Sequence, residues 1–191
     1  MVGAAETAEE FFVFQRSPNW CTPLGNQPPD QWGGKRSPAV EKFSSSVVAL
    51  DLDTGKVRWN FQTVHHDVWD YDVPSQPMLI DFPIAGSSAP AVVQMTKRGQ
   101  IFVLDRRDGR PLSKVVDVKV PGGPQPGEWL SPTQPYSVDM PTVGAGRITE
   151  KMMWGATPLD QLYCRISFKS VRYDGDFTPP GGEKASLQSP G

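Results

Sequence analysis

A ten-residue pattern of this chain recurs, and its recurrence restricts the fold more than any other feature. Val-Val-Ala-Leu-Asp-Leu-Asp-Thr-Gly-Lys (47–56) aligns without gaps on Ile-Phe-Val-Leu-Asp-Arg-Arg-Asp-Gly-Arg (101–110), 54 positions later. Leu, Asp, Gly and a basic residue coincide. In the first copy Val48 and Leu50, then Val57, Trp59 and Phe61, alternate with other residues, as strands with one buried face do. Leu52-Asp53-Thr54-Gly55 between them supplies a side-chain acceptor and a residue free to take positive φ. A β-hairpin of Ser45–Asp51 and Lys56–Phe61 follows. Short strands recurring at this period predict an all-β fold of propeller blades. The 20 prolines and 18 glycines among 191 residues suit many turns and argue against long helices.

Further strands are expected at 77–82 and 90–95, joined by a Pro83–Ser88 turn, and at Gln100–Asp105. Asp160–Phe168 and Ser170–Tyr173 also read as strands, and Thr149-Glu150 as a weak helix cap. Pro18 to Pro38 reads as an ordered loop that shelters Trp20 and Trp32. Three regions result: an atypical N-terminal segment (1–18), propeller material (19–180) and a polar C-terminal tail (181–191) expected to fray. Residues 4–10 could start a short helix, and Phe11-Phe12-Val13-Phe14 a strand.

Charge and hydropathy narrow the function. The net charge is −2, with no Lys/Arg run, which argues against a phosphate-gripping nucleic-acid protein. No signal peptide and no apolar run of membrane-spanning length is visible. Cys21 and Cys164 stand in no metal-binding spacing.

The chemistry concentrates in Thr-Val-His-His-Asp-Val-Trp-Asp-Tyr-Asp-Val-Pro (63–74), which holds both histidines and three aspartates. Pro74 and the acidic residues make it a loop leaving a strand. His65 and His66 are adjacent, so on extended chain they face opposite sides and cannot easily share a metal. The plainer reading is that one histidine caps backbone carbonyls. Asp70 lies between Trp69 and Tyr71, whose rings would partly desolvate it and favour a general base. Asp67 and Asp72 read as carboxylates capping backbone N–H groups. Lys97 alone reads as a solvated turn lysine, and Asn26 as a turn residue.

Longer windows carry a resemblance. Ala49-x-Asp51-x-x-x-Gly55-x-x-x-Trp59 resembles the tryptophan-docking motif of the pyrroloquinoline quinone (PQQ) dehydrogenases, which are eight-bladed propellers. Gly-Asn-Gln-Pro-Pro-Asp-Gln-Trp (25–32), Ser-Ser-Ser-Val-Val-Ala-Leu-Asp (44–51), Gln-Thr-Val-His-His-Asp-Val-Trp-Asp (62–70), Pro-Thr-Gln-Pro-Tyr (132–136), Met-Trp-Gly-Ala-Thr-Pro-Leu-Asp-Gln-Leu (153–162) and Arg-Tyr-Asp-Gly-Asp-Phe-Thr-Pro-Pro (172–180) resemble the membrane-bound glucose, quinate and shikimate dehydrogenases. The likeness runs from about Pro23 to Pro180.

The resemblance implies roles residue by residue. Asp70 matches the family's catalytic base, which takes the substrate hydroxyl proton while hydride passes to the C5 carbonyl of PQQ. Lys97 matches the cation that bonds the quinone oxygens. Asn26 lies near the position of a metal ligand and is the candidate contact for Ca²⁺ or Mg²⁺. Trp154 and Gln161 would lie toward the substrate opening. The implied substrate is a sugar or cyclic polyol, the implied acceptor is membrane ubiquinone, and the implied location is the periplasmic side of the bacterial inner membrane. The family also carries N-terminal membrane helices, and this chain has strand material for about three blades. A fragment, inactive alone, is therefore expected. Two rivals are a non-catalytic propeller module for protein binding and a histidine-metal hydrolase. Asp70 and Lys97 standing together, 27 apart as in the family, speak against the first. Stoichiometric zinc would be needed for the second.

Overall fold

The Asp51–Gly55 turn shows how the repeat acts. Gly55 takes φ +65°, and its N–H donates to the Asp51 carbonyl (2.8 Å), while the Asp51 N–H donates to the Lys56 carbonyl (2.8 Å). The second copy repeats this bond for bond. Gly109 takes φ +75°, the Gly109 N–H donates to the Asp105 carbonyl (2.8 Å), and the Asp105 N–H donates to the Arg110 carbonyl (2.7 Å). Side chains disfavour this left-handed region, which is why the repeat keeps glycine there.

A computed structural model describes residues 19–144, 146–182 and 184–188. The readings made for residues 1–18 lie outside the described residues. Among the described residues the strands form three antiparallel sheets. The first pairs β1 (Asn19–Leu24), β2 (Ser46–Asp51) and β3 (Val57–Gln62) in that order. The second pairs β4 (Met78–Ile84), β5 (Ser87–Met95) and β6 (Ile101–Asp105), and the third β7 (Val115–Lys119) with β8 (Thr133–Ser137). Helix α1 (Pro38–Phe43) joins β1 to β2 and is capped by the Ser37 hydroxyl, which accepts from the Val40 N–H.

The predicted hairpin and the strands of the second sheet stand within a few residues of expectation. The β4–β5 turn is tighter than expected, because Ala85 and Gly86 both take positive φ and Ile84 pairs with Ser87. β1 arises where a loop was expected, and β7 and β8 where no strand was expected. β1 pairs Trp20 with Leu50 and Cys21 with Ala49. It tolerates Pro23 because it is an edge strand, as β8 tolerates Pro135.

The expected strands Asp160–Phe168 and Ser170–Tyr173 are overturned. Residues Pro158–Ser170 form a 13-residue helix, α2. A capping box starts it: the Thr157 hydroxyl accepts from the Asp160 N–H, and the Asp160 carboxylate accepts from the Thr157 N–H. The Thr149-Glu150 signal opens only a 3-10 turn, Glu150–Met152. Part of the tail is tied: Arg172 donates its N–H to the Ala185 carbonyl, and Leu187 donates back to Arg172.

The first two sheets share one core. Cys21, Val47, Ala49 and Trp59 of the first pack with Val92, Phe102 and Leu104 of the second. Burying the Val, Leu and Phe side chains among these contributes about 1.5–3 kcal/mol each. Trp59 crosses the boundary: its indole lies against Gly109 in the second copy's turn, and its N–H donates to the Arg106 carbonyl (3.2 Å). A Cβ on Gly109 would stand 2.6 Å from the ring, whereas a Cβ on Gly55 would meet nothing within 4 Å. The equivalent glycines of the repeat therefore differ in one term. Gly55→Ala is expected to cost about 1–2 kcal/mol of backbone strain. Gly109→Ala is expected to cost roughly 1–3 kcal/mol more, because the Trp59 ring must shift. Equal losses in chemical denaturation would show that Trp59 is not seated on Gly109.

Candidate active site

The loop leaving β3 is wound around one carboxylate. Asp67 is fully buried. It accepts from the Ser45 hydroxyl and from the backbone N–H groups of Trp69 and Tyr71 (both 2.9 Å). Burial pushes the Asp67 carboxyl above its ordinary range, against the pull of these donors. The two backbone bonds straddle Asp70, which takes φ +63°, a region that Asp enters more readily than most residues. Trp69 and Tyr71 turn inward onto Phe177, at ring distances of 5.0 and 5.4 Å. Asp70 turns outward.

This corrects one expectation. The flanking aromatics do not wrap Asp70; they pack into the second core with Val64 and Val68, and the Asp70 side chain stays 45% exposed. What meets it is a cation from the β5–β6 turn. Lys97 donates to Asp70 Oδ2 at 2.9 Å and to Asp72 Oδ2 at 3.2 Å. Burial works against the Lys97 charge, but the two carboxylates outweigh it and hold the ammonium above its ordinary range. Lys97 is thus ion-paired, where the sequence alone suggested a solvated turn lysine.

The neighbouring residue braces that turn. The Arg98 guanidinium lies 4.0 Å from the Phe177 ring and 4.5 Å from the Tyr136 ring. Phe177 therefore touches both sides of the pair: Trp69 and Tyr71, which flank Asp70, and Arg98, which follows Lys97. No sequence signal marked Phe177 or Arg98 for this.

Asn26 joins the cluster through its backbone. Its N–H donates to Asp72 Oδ1 at 2.8 Å. Its side-chain oxygen accepts from the Gln27 N–H (2.9 Å), the Ser44 hydroxyl (3.1 Å) and Arg36 Nη2 (3.2 Å). Asp67 and Asp72 do cap backbone N–H groups, as their spacing suggested. Among the described residues no group of three or more His, Cys, Asp or Glu is arranged to hold a metal ion.

The histidines do something else than cap carbonyls. The His65 backbone exchanges two 2.7 Å bonds with the Gln134 side chain. The buried His66 ring is gripped on opposite edges: Nδ1 meets Glu41 Oε1 at 2.8 Å and Nε2 meets Glu128 Oε1 at 3.0 Å. Trp129 stacks on it at 3.7 Å, and Gly33 covers it closely enough that a Cβ there would stand 2.5 Å from the ring. The carboxylates sit on opposite sides of one imidazole, so they cannot share a metal with it. Trp154 is exposed, and Gln161 donates to the Met153 carbonyl.

The His66 clamp has a pH signature. Burial pushes the His66 pKa down, but Glu41 and Glu128 outweigh it and the net shift is up from 6.5. Its stabilisation is full below pH 6.5 and is lost as pH rises through the higher folded value. For Glu128 burial pushes up, but His66 and the Trp129 and Gly33 N–H groups win, so the net shift is down from 4.5. That contribution is full above pH 4.5 and fades as pH falls through the lower folded value. Denaturation midpoints should peak between these limits and fall on the alkaline side. His66→Gln should flatten the alkaline fall; an unaltered profile in that variant would remove His66 from the effect.

Comparison with known proteins identifies the family this chain resembles. Residues 21–191 match the family model for the PQQ glucose/ethanol/alcohol dehydrogenase β-propeller domain. The quinate/shikimate dehydrogenase (quinone) of Acinetobacter baylyi is 52% identical over 170 residues, covering 88% of this chain and 21% of that protein. The glycerol dehydrogenase large subunit of Gluconobacter oxydans is 50% identical over 171 residues, covering 88% and 23%. The quinoprotein glucose dehydrogenase of Escherichia coli is 44% identical over 200 residues, covering 98% and 25%. The chain thus spans about a fifth to a quarter of these relatives' length.

Proposed function

Since the chain belongs to the PQQ-dependent dehydrogenase β-propeller family, we propose that it supplies one wall of the catalytic site of a quinoprotein that oxidises a sugar or polyol hydroxyl. The observation that carries the reading is the Lys97–Asp70 ion pair at 2.9 Å, half open to solvent, between a loop and a turn contributed by different sheets.

Asp70 is the base. Lys97 holds Oδ2, and a substrate hydroxyl approaches the exposed side of the carboxylate and gives up its proton there. Lys97 is the electrophile. An ammonium has three N–H groups, of which two go to Asp70 and Asp72, so one is left for a quinone oxygen. The donor set therefore fits PQQ, which when bound supplies the carbonyl that accepts the hydride and its electron pair. The hydroxyl carbon becomes a carbonyl, with its O–H proton on Asp70. Lys97 would hold its ammonium beside a quinone oxygen, where a fixed positive charge stabilises developing negative charge.

The fit to a divalent cation is poor. The Asn26 oxygen already takes three donors, one of them a guanidinium that repels a cation. No step is routed through Ca²⁺ or Mg²⁺. The relatives' names cover quinate, shikimate, glucose and glycerol, so the substrate class is polyhydroxylated. We further propose that electrons leave to membrane ubiquinone at the periplasmic face of the inner membrane. Among the described residues no helix is long and apolar enough to cross a membrane.

The test grafts residues 21–191 in place of the matching segment of the Acinetobacter baylyi enzyme and follows quinate oxidation. Asp70→Asn should lower turnover by about 10²–10⁴-fold with PQQ still bound by absorbance. Lys97→Ala should weaken both turnover and PQQ binding. Undiminished turnover in the Asp70→Asn graft would sink the assignment.

A further inference from the structure

Asp72 was expected only to cap backbone, and the mechanism above gives it no part. Its surroundings are those of a residue built into the site. One carboxylate oxygen takes the Asn26 N–H at 2.8 Å; the other takes Lys97 Nζ at 3.2 Å. The Asp72 carbonyl accepts the Lys97 N–H at 3.2 Å, so the lysine is docked to this residue by main chain and side chain together. Gly25 is shaped around it: a Cβ there would stand 2.6 Å from Asp72 Oδ1. The carboxylate thus has one orientation, set from both sides.

We propose that Asp72 is a positioning residue that shares the Lys97 ammonium with Asp70. A lone lysine–aspartate pair has a long, flexible cation and one partner, so it samples many geometries. A second carboxylate fixed by Gly25 and Asn26 holds the ammonium at one point. Sharing Lys97 with Asp72 keeps the ammonium beside Asp70 in one place. The third N–H then points away from both carboxylates, where a quinone oxygen would be received. The proposal rests on the Asp70–Lys97 reading but is tested apart from it.

The primary test uses the chain itself and needs no cofactor. Competitive acetylation with acetic anhydride at pH 8, read by peptide mass spectrometry, reports Lys97 against the exposed Lys56 and Lys114. Asp72→Asn should raise Lys97 labelling at least threefold relative to those two. Gly25→Ala, which presses on the carboxylate without removing its charge, should raise it in the same direction by less. Labelling of Lys97 that stays level in Asp72→Asn overturns the proposal. If Asp72→Asn loses the near-UV circular dichroism of the parent chain, it has unfolded and Gly25→Ala decides, a level Lys97 there again overturning the proposal. In the graft, Asp72→Asn should lower kcat about tenfold and leave KM for quinate within twofold; a change confined to KM would overturn the positioning role. If Lys97 labelling responds but the Asp70→Asn graft keeps full turnover, the dehydrogenase reading falls and the Asp72–Lys97 coupling stands.

Discussion

The site depends on a carboxylate that does no chemistry. Burying an ionised aspartate costs several kcal/mol unless donors surround it. Asp67 offsets part of that cost with the Ser45 hydroxyl and two backbone N–H groups, and charge-assisted bonds of this kind are stronger than neutral ones. Because the two N–H groups belong to residues 69 and 71, satisfying Asp67 fixes the backbone on either side of Asp70. The aromatics go to the core and Asp70 goes to solvent. The left-handed backbone at Asp70 costs about 1–2 kcal/mol by itself, and it is held in place by the bonds on either side.

The pair that results is assembled across a sheet boundary. Asp70 follows β3 of the first sheet and Lys97 sits in the β5–β6 turn of the second. Their 2.9 Å separation therefore relies on how the sheets pack. Beside the shared core, two contacts support that packing: Trp59 against Gly109 with its N–H on the Arg106 carbonyl, and Arg98 on the Phe177 ring that also carries Trp69 and Tyr71. The tryptophan-docking motif is thus a lock between successive repeats.

Legibility in the sequence followed how local each determinant is. The hairpin and its repeat could be read because period-2 alternation and a turn glycine are both short-range signals. β1 and β8 were hidden by Pro23 and Pro135, which look like loop residues unless the strand is known to lie at an edge. Helix α2 was misread because Ile166 and Phe168 favour strands by composition. Its real markers were Thr157-Pro-Leu-Asp160, a capping box with proline in the first turn, and the helical spacing of Leu159, Tyr163 and Ile166. At the site, Asp70 stood out by its company, but nothing within the loop pointed to Lys97. The family resemblance named both residues but not their ion pair, and Lys97 lies 27 residues away in the next sheet. The tertiary partners of His66, Glu41 and Glu128, left no mark on the loop at all.

Those partners have a consequence for the time course of folding. Glu128 bonds the Gly33 N–H from 95 residues downstream, and meets His66 from 62 residues downstream. Contacts of such separation reward the chain only after most of it is present, so they tend to form late. At a synthesis rate of about 5–20 residues per second, Glu128 leaves the ribosome roughly 5–20 s after Gly33. During that interval Glu41 and His66 can already meet, with one edge of the imidazole still facing water. The first two-thirds of the segment thus waits, half-closed, for a single glutamate to finish it.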